Sequence, residues 1–178
     1  MPLGKPLAQQ APSHGPRRGI SEMYKSPRVE DALNFIDDLH LALPAQPLNS
    51  QGQPLQPQLP SDITRLTSEQ LGRLYGEFVA VASYAEAHLG LSDIVHVETE
   101  YQGDVTEATW GLQTDGANKD ERTYALKTNH KVRTARETAL VKRARKVLLS
   151  KLITGYERAI NALSREMSRR GMDLANER

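Results

Sequence analysis

The chain has 178 residues and a hydrophobic fraction of 38%, with only two Phe and one Trp, so it can fill one domain but not a thick aromatic core. The absence of cysteine excludes disulfides, thiolate metal sites and cysteine nucleophiles. No apolar run approaches the ~18 residues of a membrane span, and the N-terminus lacks the apolar core of a signal peptide, so a soluble intracellular protein is expected.

All ten prolines fall at or before Pro60, which divides the chain into an arm, residues 1–60, and a body, residues 61–178. Residues 1–25 mix Pro, Gly, Gln and Ser around a small basic turn, Gly15 to Gly19. Residues 44–60, PAQPLNSQGQPLQPQLP, read as an extended, polyproline-like linker. Neither stretch carries enough apolar surface to offset its ordering entropy, so both are expected to be flexible. Between them lies a short amphipathic helix at about 27–43. Ser26 is its N-cap and Pro27 its first residue, and Val29, Leu33, Ile36, Leu39 and Leu43 come after at helical spacing. That apolar face either folds back onto the body or docks in a partner's groove.

The body opens on Thr67 and Gln70, which have capping-box spacing. Leu71, Leu74, Phe78, Val81 and Ala85 then recur in steps of three and four, as in a heptad seam. Near Gly90 the frame slips, and a new stripe runs through Ile94, Val97, Tyr101, Val105, Ala108 and Leu112, which predicts a stutter or kink. Residues 94–106 are rich enough in Val and Thr to be strand as readily as helix, and Gly103-Asp104 can turn. Gly72 and Gly76 are expected to admit a close backbone approach. Residues 111–118 read as a loop, with Asn118 or Asp120 capping the basic helix after it.

From Lys119 to Arg170 there is no proline, and Gly155 is the sole glycine. Leu140, Ala144, Val147, Leu148, Leu152, Tyr156, Ala159, Leu163 and Met167 draw an apolar stripe on a helix of about 50 residues. Fifteen Lys and Arg stand there against five carboxylates, whereas residues 61–118 carry two basic and ten acidic side chains. Matched lengths, facing stripes and opposite charges predict an all-α protein. Its core is a long antiparallel helical hairpin, coiled-coil-like, behind an extended Pro-rich arm. So thin a hairpin buries little per residue, and self-association of several copies is expected.

Catalytic chemistry has no foothold in this pattern. No Gly-rich phosphate loop and no H-x-x-x-H spacing occurs, and Asp93, His96 and Glu100 at i, i+3 and i+7 are more often a solvated face than a metal site. A non-enzymatic protein without cofactor or metal is expected. Its candidate site is a cationic run: Lys127, Lys131, Arg136, Lys142, Arg143, Arg145, Lys146 and Lys151. Such density suits a phosphate backbone, read weakly for sequence and steeply dependent on salt. If the acidic helix neutralises that run inside the hairpin, no such surface remains.

The closing stretch from Gly155 to Arg170, GYERAINALSREMSRR, resembles the end of the UvsY-type recombination mediators of tailed bacteriophages, and the likeness extends loosely back to about Leu66. That resemblance implies ring-like oligomers in the host cytoplasm that bind single-stranded DNA. They would help load a phage recombinase in place of single-strand binding protein. The rival expectation is a virion component, whether minor capsid, cement or connector protein, whose Pro-rich arm lies across neighbouring subunits.

Overall fold

In the computed structural model, which describes residues 23–114 and 118–176, the chain is helical almost throughout. Helix α1 spans Pro27–Asp38, α2 Ser68–Gln113, α3 Lys119–Thr128 and α4 His130–Asn176, with a 3-10 turn at Ile63–Arg65. Helices α2 and α4 run antiparallel along each other as the predicted hairpin, α1 packs on α2, and α3 sits between the two long helices at their connected end. The basic turn at residues 15–19 and the loop residues 115–117 lie outside the described residues.

Local signals set the helix ends. Thr67 and Gln70 form the reciprocal capping box, with Thr67 Oγ1 accepting from the Gln70 amide (3.2 Å) and Gln70 Oε1 from the Thr67 amide (2.8 Å). Ser26 caps α1 with Pro27 in its first turn. That helix stops at Asp38 rather than near 43. His40 adopts φ 55°, and the amides of His40 and Leu41 reach back to the Asp37 and Ile36 carbonyls (2.8 and 3.1 Å). This is a left-handed C-terminal cap without the glycine that usually announces one. The basic segment is likewise two helices. Asn129 interrupts it, and its Oδ1 accepts from the amides of Lys131 and Val132 (2.9 and 3.4 Å), so it opens α4 as an N-cap does.

Helix α2 continues unbroken through Gly90 and residues 94–106, with no strand or turn there. Thr99, Thr106, Thr109 and Thr114 each donate a hydroxyl to the carbonyl four residues back (2.6–2.7 Å), so these strand-prone residues are satisfied within the helix. The seam does not slip either. Leu71, Phe78, Ala85 and Ser92 keep a seven-residue step, as do Val81, His88 and Val95, and all are buried. Most of the second predicted stripe is instead outside: Ile94 packs at the edge of the core, but Val97, Tyr101, Val105 and Leu112 are exposed.

Helix α4 shows the same displacement. Val132, Ile153, Ala159 and Leu163 are buried, with Leu149, Tyr156 and Ile160 half-buried, but the seam between them runs through Lys142 and Lys146. Leu140, Val147, Leu148 and Leu152, predicted to face α2, are exposed. In both long helices, heptad continuity fixed at the open end carries polar residues into the middle of the seam. Charge then joins what apolar contact does not: Lys146 pairs with Asp93, and Arg136 with Glu107 (2.6 Å). Gly72 and Gly76 do not touch a neighbour; a Cβ on either would meet no atom within 4 Å. Gly72→Ala and Gly76→Ala are each expected to raise unfolding stability by about 0.5–1 kcal/mol, read by chemical denaturation.

Burial gathers in two clusters. At the open end of the hairpin, Leu71, Phe78, Ala159 and Leu163 pack with Ile63, Leu66, Leu74, Tyr75, Tyr156 and Ile160 around them. Midway along, Tyr24, Val29 and Leu33 close over Leu91 and Val95. The linker joins these clusters. Asn49 Oδ1 accepts from the amides of Gln51 and Gln53 (3.0 and 2.9 Å), and Gly52 at φ 72° completes a tight turn bridged by Leu48 and Pro54. The extended polyproline reading therefore misses this turn. Pro47, Pro54 and Leu55 face Tyr84, Leu149 and Leu152 across a cavity of about 480 Å³, so the segment lies along the hairpin.

The open end is held by a polar clamp. Arg170 donates to the carbonyls of Leu66 (2.7 Å) and Thr64 (2.9 Å), and its Nε donates to Glu166 Oε1 (2.8 Å). Arg169 grips the same carboxylate through two bonds of 2.8–2.9 Å. Hydrogen bonds from Arg169 and then Arg170 hold the Glu166 carboxyl at about 2, against an ordinary value of 4.5. A depressed carboxylate stabilises the fold above its unfolded pKa and loses that contribution as pH falls toward its folded one. The denaturation midpoint is therefore expected to drop between pH 4.5 and 2, with a shallower drop in Glu166→Gln.

Candidate nucleic-acid interface

The eight predicted cations separate into three groups. Arg136 and Lys146 are bound to carboxylates of α2, and Lys131 places its Nζ 5.0 Å from the centroid of the Trp110 ring. Lys142 lies half-buried at a seam position, in a crevice it shares with Ser26 and Glu98. Lys127 on α3 and Arg143, Arg145 and Lys151 on α4 are exposed and form no ion pair among the described residues. Arg145 sits at the edge of the cavity under the linker, where its charge acts on the Tyr24 phenol.

The geometry adds two residues that the density of charge did not single out. Arg158 and Arg165 are exposed and also without an ion pair among the described residues. Arg143, Lys151, Arg158 and Arg165 succeed one another at steps of eight, seven and seven. At 100° per residue they stay within about 80° of one another, and at 1.5 Å per residue they stand roughly 10–12 Å apart. They form a row along the outside of α4. The nearest carboxylate toward its end, Glu166, is consumed by Arg169 and Arg170. Counting charges in a window favoured residues 142–146, where four cations point in different directions; a search at heptad spacing recovers the row.

The predicted docking face is divided. Val29 and Leu33 are buried against Leu91 and Val95, so the fold-back alternative is the one realised for them. Ile36 is half-buried, Leu43 packs at the cluster's edge, and Leu39 is exposed beside Phe35 and Leu41. Tyr24 anchors this arm. Its hydroxyl donates to the His88 carbonyl (3.1 Å) and shares a hydrogen bond with His88 Nδ1 (2.8 Å), and Tyr84 stacks edge-on against the same imidazole. A neutral His88 protonated at Nδ1 satisfies both contacts at once. Burial raises the Tyr24 pKa and lowers that of His88, so both stay neutral near neutral pH.

No group of three or more metal-ligating side chains gathers among the described residues. Asp93 is engaged by Lys146, and His96 Nε2 stands 3.4 Å from Glu100. No helix of the described residues is long and apolar enough to cross a membrane. Comparison with protein-family models, curated proteins and solved structures finds no match to this chain.

Proposed function

We propose that this chain is a non-enzymatic accessory protein that binds the backbone of single-stranded DNA. The reading extends to a recombination mediator of the phage type that its closing helix resembles, with a recombinase as its protein partner. The observation that carries it is the row Arg143, Lys151, Arg158 and Arg165, cations left over after α2 and α4 have neutralised each other. Unpaired cations along a rod release counterions when a phosphate chain lies against them, and this drives binding without base recognition. Stacking plays a small part, because the exposed aromatics Phe35, Tyr101 and Tyr124 stand on other helices than the row.

Residues 47–59 run along the hairpin of their own chain, which leaves the particle-component alternative without an arm free to cross to neighbours at that point. A fluorescence titration of a labelled single strand tests the proposal. Binding that weakens linearly in log–log form as salt rises supports it; no binding at low salt removes it.

A further inference from the structure

Residues 140–148 read LVKRARKVL, the same in both directions about Ala144. Just beyond, Glu137 and Lys151 stand at equal distances from that centre with opposite charge. On a helix, residues at equal distances before and after a point lie at mirror angles around it. The face centred on Ala144 therefore holds Glu137, Leu140, Val141, Val147, Leu148 and Lys151. Every one of them is exposed, with Leu140 at 62%, Val141 at 65% and Leu148 at 66%. The opposite face, with Ala139, Lys142, Lys146 and Leu149, is the seam against α2. In its middle, helix α4 thus turns lysines toward α2 and its large apolar side chains away from it, the pattern of a helix with a second surface to cover.

We infer that this face is the contact between two copies of the chain, whose α4 helices cross antiparallel about a two-fold axis at Ala144. A two-fold contact requires a patch that complements itself, with each residue meeting its counterpart twice. Here an antiparallel crossing sets Leu140 level with Leu148 of the second copy, Val141 level with Val147, and Glu137 level with Lys151. The single small side chain falls on the axis, where the backbones come closest. A parallel crossing would set Glu137 on Glu137 and Lys151 on Lys151, so the charges select the antiparallel one. A partner of other sequence would have no reason to match a face symmetric about its own midpoint.

Each edge of the crossing then carries two arginines, Arg143 from both copies on one side and Arg145 from both on the other. Arg158 and Arg165 lie beyond the footprint. The contact does not depend on DNA binding and is read without it.

Sedimentation of the full-length protein across a concentration series tests the inference. Wild type is expected to associate reversibly through dimers. Ala144→Glu, which sets two carboxylates against each other on the axis, is expected to weaken association by at least about tenfold with helix content unchanged. Glu137→Lys is expected to weaken it by several-fold, and the double exchange Glu137→Lys with Lys151→Glu to restore it, because the pairing survives inverted. A wild type that stays monomeric overturns the inference. So does association that Ala144→Glu leaves intact, or a double exchange no better than Glu137→Lys alone.

Discussion

Replacing Arg143, Arg158 and Arg165 together by alanine is expected to lower the affinity for a single DNA strand by a factor on the order of 10² at 0.1 M salt, with the fold intact. Each phosphate contact on a single strand contributes roughly 0.7 to the slope of log K against log salt, so three lost contacts flatten that slope by about 2 and remove about two decades at 0.1 M. The three side chains are exposed and make no ion pair among the described residues, so their removal leaves no buried carboxylate unpaired. Lys151 is kept, because the crossing at Ala144 would engage it with Glu137. A control that removes two cations elsewhere, Arg65→Ala with Arg73→Ala, takes away charges already held by Asp62 and Glu77. That control should shift affinity by far less. If the triple variant and the control lose affinity alike, binding follows overall charge, and the row is not the interface.

The hairpin could be read from the amino-acid sequence because its signals are local and agree: a capping box at Thr67, prolines confined before residue 61, matched lengths and opposite charge. The α1 N-terminus at Ser26-Pro27 was as plain. What could not be read is which side of each long helix faces the other away from the open end. The predicted stripes face inward near the open end, at Leu71, Phe78, Ala159 and Leu163, but farther along, at Val97, Tyr101 and Val105 of α2 and Leu140, Val147 and Leu148 of α4, they lie outside. The choice is made at the open end, where Leu71 and Leu163 lock the register, and heptad continuity then draws Ser92, His96, Lys142 and Lys146 inward. No window of fifteen residues contains that constraint.

The C-terminus of α1 and the break at Asn129 were missed for a related reason. Both are made by single residues, His40 in a left-handed conformation and Asn129 as a cap, at places where the apolar spacing continues unbroken. The turn at Asn49–Gly52 was legible in principle, since Asn and Gly stand where such a turn needs them, but the surrounding Pro and Gln suggested an extended chain. The ending that carries the phage resemblance also has a local meaning. Glu166, Arg169 and Arg170 are the clamp on Leu66 and Thr64, so that motif reports how the open end is closed. Its bearing on DNA comes through Arg158 and Arg165.

The second large effect is expected at that closed end. Leu163 is fully buried against Leu71, Phe78 and Ala159, and Leu163→Ala should destabilise the chain by about 3–4 kcal/mol, the cost of the lost transfer energy plus a cavity that rigid helices cannot collapse around. For a domain whose whole stability is of order 5–15 kcal/mol, that is a large share, and thermal unfolding should shift down by roughly 6–15 °C. Leu148→Ala removes the same atoms from the outer face of the same helix, where the side chain is 66% exposed. In dilute protein it should cost a few tenths of a kcal/mol at most. The contrast separates the two apolar sides of α4 by what each supports. Leu163→Ala should lower the melting temperature at every protein concentration. Leu148→Ala should lower it only where copies associate, because mass action then ties the stability of the fold to the contact that Leu148 makes. Equal losses for the two variants in dilute solution would mean that Leu148 lies in the core of the monomer, and that α4 is turned about its axis from the arrangement described.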